Sequence, residues 1–140
     1  MTIRFLTRLA LLATLVALPA SAEHEVYFRY TVLGYVKDAA GRPQEGQIVE
    51  LTRVKTGLTY RGRTDGTGLF VIVVRLGDES AGESLSLRHA ATRLGLVARF
   101  DAANHADERG TRVDLVGARA VERPAAFRST LATLLGASRP

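Results

Sequence analysis

Apolar and polar residues alternate with a period of two along most of residues 26–116, a pattern that predicts β-strands. The clearest strand is predicted at residues 26–37. One of its faces carries Val26, Phe28, Tyr30, Val32 and Val36. Gly34 interrupts that face, which indicates a bulge or a point where a neighbouring strand approaches closely.

Six further strands are predicted, at residues 47–55, 59–63, 69–76, 84–89, 93–100 and 111–116. The segment 69–76 is apolar in both alternating positions, through Phe70, Val71, Ile72, Val73 and Val74. We therefore expect it to be a central strand that is covered on both faces. Seven short strands separated by turns predict an all-β fold of two antiparallel sheets packed face to face, with a closed barrel as the alternative.

Two turns are predicted between strands in the first half of the chain. Residues 38–43 contain Gly41, which is free to adopt positive φ, and end in a Gly-Arg-Pro sequence. In residues 64–70, Asp65 is expected to accept backbone N–H bonds, and Gly66 and Gly68 to supply positive φ. Calcium binding at Asp65 is the less favoured interpretation, because the alternate positions of this loop carry no carboxylates.

These residues resemble the carboxypeptidase regulatory-like domain, which has a transthyretin-like (prealbumin-like) sandwich of the immunoglobulin-like kind. The matching features are Gly34, Val36, Asp38, the Gly-Arg-Pro turn, Val49, Leu51, Thr64-Asp65 and Gly68-Leu69-Phe70. The resemblance extends over residues 27–87. It implies a seven-stranded sandwich at residues 23–117 and a non-catalytic role, because such domains are accessory modules of enzymes, adhesins and outer-membrane receptors.

Residues 1–22 have the features of a cleaved export signal. Arg4 and Arg8 precede an apolar run at residues 9–18, which Pro19 and the small residues Ala20-Ser21-Ala22 follow. This run is shorter than the roughly 20 residues of a membrane-spanning helix, although an uncleaved anchor is the alternative. We therefore expect a periplasmic or secreted protein that begins at Glu23 and has no transmembrane segment.

The charge balance and the absence of cysteine reduce the number of functions that the chain could perform. The full chain has a net charge of +5, and removal of Arg4 and Arg8 would leave 17 basic and 14 acidic residues, a net charge of +3. The basic residues are spread along the sequence, so nucleic-acid binding is not expected. The absence of cysteine excludes disulfides and thiolate metal sites.

The segment 118–140 differs from the preceding chain, and we expect it to form a short amphipathic helix. Pro124 is suited to the first helical turn and Gly136 to the end of the helix. One side carries Phe127, Leu131, Leu134 and Leu135. Docking on the sandwich is favoured over binding to a partner or a membrane surface, because short isolated helices are marginal in water.

The sequence therefore predicts an exported interaction module that binds an unidentified envelope protein or a cell-wall component. We assign no catalytic, cofactor-binding or metal-ligating residue and expect no enzymatic activity. One alternative is a transthyretin-related 5-hydroxyisourate hydrolase, a kind of enzyme that uses histidines, an arginine and a C-terminal Tyr-Arg-Gly-Ser. Here Tyr60-Arg61-Gly62-Arg63 lies in mid-chain, and His89 is expected to be a core or rim histidine.

A second alternative is copper binding. Cleavage after Ala22 would place the free amine of Glu23 next to His24, and the amine, amide and imidazole nitrogens suit Cu(II). His105 could add a ligand together with Asp107, although a polar loop is the simpler interpretation.

Overall fold

The computed structural model describes residues 28–137 of the chain. The predicted export signal, Val26 and the proposed N-terminal copper ligands lie outside the described residues. Within them the fold is mostly β, with eight strands followed by one short helix. The elements are β1 (Arg29–Lys37), β2 (Ile48–Arg53), β3 (Thr59–Arg63), β4 (Leu69–Arg75), β5 (Ser84–His89), β6 (Thr92–Val97), β7 (Gly110–Val116), β8 (Arg119–Glu122) and α1 (Phe127–Ala137).

The strands form two four-stranded sheets. The first sheet has the order β4-β1-β7-β8, and the second sheet has the order β3-β2-β5-β6. Every pair is antiparallel except β1 and β7, which run parallel, so the expectation of a wholly antiparallel fold is wrong. A parallel pair requires a long connection, and here the whole of β2–β6 lies between its two strands.

The core lies between the two sheets, as expected for a sandwich. It is built from the inward residues of the strands and of the segments that follow β4 and β6. Its members are Tyr30, Val32, Val36, Val49, Leu51, Phe70, Ile72, Val74, Leu76, Leu85, Leu87, Leu96, Ala98, Val113 and Leu115. The inward-facing set that the sequence predicts for the first strand is confirmed at Tyr30, Val32 and Val36, whereas Phe28 lies at the surface.

The expectation that residues 69–76 form a central, doubly covered strand is wrong. β4 is the edge strand of the first sheet and is hydrogen-bonded only to β1 there. Phe70, Ile72 and Val74 are buried, whereas Val71 and Val73 point outward and are 44% and 50% exposed. The central position belongs to β1, which has β4 on one side and β7 on the other.

Gly34 is a point of close approach, as predicted. A Cβ atom at this position would lie 1.6 Å from the carbonyl oxygen of Val113 in β7. The β1–β7 register is the same before and after Gly34, so the glycine admits the neighbouring backbone without a bulge.

The segment after β7 departs from the predicted helical tail. β8 pairs with β7 through a tight turn at Gly117 and extends the first sheet. This strand is absent from the seven that the sequence predicts. A 3₁₀ turn at Pro124–Ala126 then leads into α1, which continues through Gly136 to Ala137 instead of ending at the glycine. Among residues 28–137, no helix is long and apolar enough to cross a membrane.

Candidate functional site

An apolar groove lies on the outer face of the first sheet, beside α1. Its volume is about 520 Å³. It is lined by Phe28, Arg29, Thr31, Tyr60, Val71, Val73, Arg75, Glu108, Leu131 and Leu135. We call this feature the outer groove.

The outer groove exists because α1 covers only part of the sheet. Phe127 at the start of the helix is buried against Gly110 of β7, where an added Cβ would lie 2.6 Å from the phenylalanine ring. Arg112 of β7 donates a hydrogen bond of 3.0 Å to the Thr130 hydroxyl. Both contacts hold the helix over β7, and the valines of β4 on the far side of β1 remain exposed.

These contacts bear out the preferred interpretation of the C-terminal segment, in which the helix docks on the sandwich. The predicted apolar side of the helix divides between two environments. Phe127 is buried and Leu131 and Leu134 are half-buried, whereas Leu135 is exposed. Leu131 and Leu135 face the outer groove and extend its apolar surface.

Charged residues border the outer groove at one end. The Arg29 guanidinium donates to the Glu108 carboxylate, with 3.1 Å between Nε and Oε2. Arg75 lies opposite Arg29 in the β1–β4 ladder and also lines the groove. The site therefore combines an apolar floor with a polar border, an arrangement typical of interaction surfaces.

A second, smaller cleft lies between the loop that follows β6 and the start of α1. Its volume is about 280 Å³, and its lining is rich in charged residues. Arg109 anchors this region although its side chain is almost fully buried. Its guanidinium donates to Asp78 at 2.8 Å and to the carbonyl of Asn104 at 3.2 Å, and it lies 4.2 Å from the centre of the Phe100 ring.

The Asp78 carboxylate is shared between two partners. Its Oδ1 accepts from Arg109, and its Oδ2 lies 2.8 Å from Nε2 of His105. The hydrogen bond from Arg109, followed by that from His105, lowers the pKa of the Asp78 carboxyl. Asp107 accepts from Arg128 of α1 at 3.2 Å. These pairs explain the cleft as an ion-pair network that holds the loop against the helix.

The histidines that the sequence singles out do not form a shared site in the described chain. His89, at the end of β5, has its Nε2 3.0 Å from the side-chain oxygen of Gln47, and burial lowers its pKa. This environment agrees with the prediction of a rim histidine. His105 lies in the exposed loop and pairs with Asp78.

No group of three or more histidine, cysteine, aspartate or glutamate residues within residues 28–137 could hold a metal ion. His24 and Glu23 lie outside this range. Tyr60, Arg61, Gly62 and Arg63 are part of β3, where alternate side chains point to opposite faces of the sheet.

The Asp65 turn behaves as predicted, apart from one glycine. Asp65 Oδ1 accepts hydrogen bonds from the backbone N–H and the hydroxyl of Thr67, at 2.8 and 2.7 Å, and from the N–H of Leu69 at 3.1 Å. Gly68 has a φ of +80°, and an added Cβ would lie 2.5 Å from the Val36 carbonyl oxygen. Gly66 is not among the residues with positive φ, so that part of the expectation is wrong.

Sequence reasoning missed the residues that define the outer groove and the cleft. The sequence predicts Val71 and Val73 in the core, because their strand is apolar throughout. Arg109 gave no signal, since one arginine in a polar loop does not indicate burial. Only the strand order and the position of α1 distinguish these residues from their neighbours.

No protein-family model and no curated protein matches this sequence. Among solved structures, the chain is similar to the dioxygenase domain of a dioxygenase carbohydrate-binding protein fusion from Streptomyces sp. SirexAA-E. The identity is 17% and the TM-score is 0.42, and the match covers 64% of this chain and 79% of that chain. It is also similar to chlorocatechol 1,2-dioxygenase from Pseudomonas putida, at 10% identity and a TM-score of 0.43, over 63% of this chain and 59% of that chain. Similarity at this level supports no conclusion about activity or partners.

Proposed function

We propose that this protein is an exported, non-catalytic β-sandwich module that binds a protein of the cell envelope through the outer groove. The observation that carries the proposal is the pair Val71 and Val73, two large apolar side chains that the fold leaves exposed. They lie in a groove that Phe28 and Leu135 extend. Contiguous exposed apolar surface with a polar border is characteristic of protein interaction sites.

The position of β4 indicates what kind of partner segment would fit. The edge of β4 away from β1 is approached by β3, where a Cβ at Gly62 would lie 3.4 Å from the Val71 carbonyl oxygen, so a partner segment would lie across the outward face of β4 and would not extend its sheet. The outward side chains of Val71 and Val73 would then contact apolar side chains of that segment. The partner is therefore a protein segment that presents apolar residues on one side, and the Arg29–Glu108 pair and Arg75 lie beside it.

The family assignment belongs to the same proposal. Gly34 and the Asp65 turn, two of the features that resemble the carboxypeptidase regulatory-like domain, have definite structural roles here. We therefore assign the module to the transthyretin-like sandwiches of the carboxypeptidase regulatory-like kind. An accessory module of this kind acts by presenting surface to a partner.

Site-specific photo-crosslinking tests the proposal. A photoreactive residue at Val73 should give a discrete adduct in the cells that export the protein, whereas the same residue at Leu58, an exposed apolar position outside the groove, should not. Once the adduct is identified, Val73→Asp should abolish binding to the purified partner, and Leu58→Asp should not change it. Adducts from both positions, or from neither, would contradict the assignment.

The two alternatives are tested on the same purified protein. Hydrolysis of 5-hydroxyisourate should not exceed the uncatalysed rate, and one equivalent of Cu(II) should produce no visible absorption band. Turnover that is lost on His105→Gln would establish an enzyme instead. A copper band that is lost on His24→Gln would establish the N-terminal chelate.

A further inference from the structure

The outward face of the second sheet is strongly basic. Arginines on three different strands point away from the core there, because the intervening residues Tyr60, Leu87 and Leu94 face inward. The outward charged residues are Arg61 and Arg63 of β3, Glu50 of β2, Arg88 of β5 and Arg93 of β6. Four positive charges therefore face one negative charge, and we call this surface the arginine face.

The strand register aligns most of these charges in one row. Arg61 is opposite Glu50, Glu50 is opposite Arg88, and Arg88 is opposite Arg93. Since neighbouring strands lie about 4.8 Å apart, the row crosses the whole sheet. The residues are distant in the sequence, and the arginines that look dispersed along the chain are brought together by the strand pairing.

Glu50 neutralises only part of this row. Its carboxylate accepts from Arg88 and lies 3.1 Å from Nε of Arg61. Both arginines keep much of their side chains exposed, at 48% and 72%. The hydrogen bond from Arg88 and the nearby guanidinium of Arg61 lower the pKa of the Glu50 carboxyl.

Arg93 has a different environment. It is exposed and opposite Arg88, so two like charges are direct cross-strand neighbours. Such a pair destabilises a sheet. Neither Arg93 nor Arg63 makes an ion pair with another residue in the range 28–137, so their charges are available to a ligand. A bound anion would remove the repulsion between Arg88 and Arg93.

A row of hydroxyl groups runs beside the arginines. Thr59, Thr52 and Ser86 are successive cross-strand neighbours, and the two threonine hydroxyls lie 2.8 Å apart. Hydroxyl groups can both donate to and accept from sugar hydroxyls. No aromatic side chain of the four strands points outward on this face, since Tyr60 packs against the core.

We propose that the arginine face binds an anionic polysaccharide. Guanidinium groups recognise carboxylate, sulfate and phosphate through paired hydrogen bonds, and the adjacent hydroxyl row suits the sugar units between those anions. Single-stranded nucleic acid is less suited, because its bases require aromatic stacking surfaces. A duplex is also less suited, because base readout requires an element that enters a groove. This site is on the opposite side of the sandwich from the outer groove and does not depend on it.

Binding measurements with defined polymers test the proposal. The purified chain should bind polygalacturonate or dextran sulfate and not neutral dextran, and its affinity should fall with added salt. Arg93→Glu and Arg63→Glu should each lower the affinity about tenfold or more, the loss expected from removing one charged hydrogen bond. Circular dichroism should show both variants folded, because both side chains are exposed.

Arg119→Glu is the matched control, since it makes the same change of net charge at an exposed position on the other sheet. Its affinity should stay within about twofold of wild type if binding is local to the arginine face. Equal losses for Arg119→Glu and Arg93→Glu would overturn the site, and failure of both charged polymers to bind at low salt would overturn the ligand class. Tighter, Arg93-dependent binding of oligothymidylate would replace the polysaccharide with single-stranded nucleic acid.

Discussion

Val71 of β4 lies directly opposite Leu33 of β1 on the outer face of the first sheet, yet Leu33 is fully buried and Val71 is 44% exposed. The two residues have the same orientation and similar hydrophobicity. Their difference arises from α1, which lies over β7 and stops short of β4. This boundary defines the outer groove.

Val73→Asp should leave the protein folded. Val73 is half exposed, so its new carboxylate stays hydrated, and the melting temperature should change by only a few degrees. Ile72→Asp, one residue away in the same strand, places an unpaired charge in the core and should abolish cooperative unfolding. Thermal circular dichroism distinguishes the two, and loss of structure in both variants would show that β4 is covered on both faces after all.

Gly34→Ala should destabilise the sandwich severely. The new methyl group would collide with the Val113 carbonyl, so β1 and β7 would have to separate, at a cost of about 3 kcal/mol or more. Gly95→Ala is the matched control, because a Cβ at that strand position meets no atom within 4 Å. Urea denaturation measures both effects, and equal stabilities for the two variants would contradict the close approach.

Phe127→Ala should loosen the helix from the sheet. The buried ring fills the space above Gly110, and its removal is expected to cost about 3 kcal/mol or more of stability. Leu135→Ala, at a side chain that is 59% exposed, should change stability by less than about 0.5 kcal/mol. Hydrogen exchange of the α1 amides reports the docking directly. Unchanged protection in Phe127→Ala would show that the helix is held by other contacts.

The Arg53–Glu83 pair should make stability depend on pH. The two hydrogen bonds of this pair are 2.7 and 2.9 Å long, and both side chains are largely buried. The hydrogen bond from Arg53 lowers the pKa of Glu83 below its ordinary value of 4.5. On acidification, Glu83 is therefore protonated at a higher pH in the unfolded chain than in the folded protein. The contribution of the pair to the free energy of unfolding is complete above pH 4.5 and disappears as the pH falls through the lowered pKa of Glu83.

Glu83→Gln should accordingly cost about 2–4 kcal/mol at neutral pH, because Arg53 loses its charged partner in a partly buried site. The difference from wild type should be smaller at an acidic pH below the lowered pKa of Glu83 than at neutral pH, because Glu83 is then protonated in the wild type as well. Glu45→Gln, on an exposed loop, should change stability by less than about 0.5 kcal/mol at either pH. A Glu83→Gln penalty that is constant with pH would refute the assigned linkage.

Several features of the fold were predictable because they depend on neighbouring residues only. The period of two located seven of the eight strands, since alternate side chains of a strand point to opposite faces. Asp65 and Gly68 identified their turn, because a short carboxylate and a residue without a Cβ have few other uses there. Gly34 indicated a close approach, although the sequence could not show that the approaching backbone belongs to Val113.

The candidate surfaces required the tertiary structure. Period-two alternation does not reveal whether the second face of an apolar strand is covered, so Val71 and Val73 could not be distinguished from core residues. The row of Arg61, Glu50, Arg88 and Arg93 exists only through strand pairing between distant segments. The local sequence determined which segments could form strands and turns, because the preferences for these structures act over a few bonds. The strand order and the position of α1 on the first sheet decided which side chains are in contact and which remain in water, because burial depends on the whole chain.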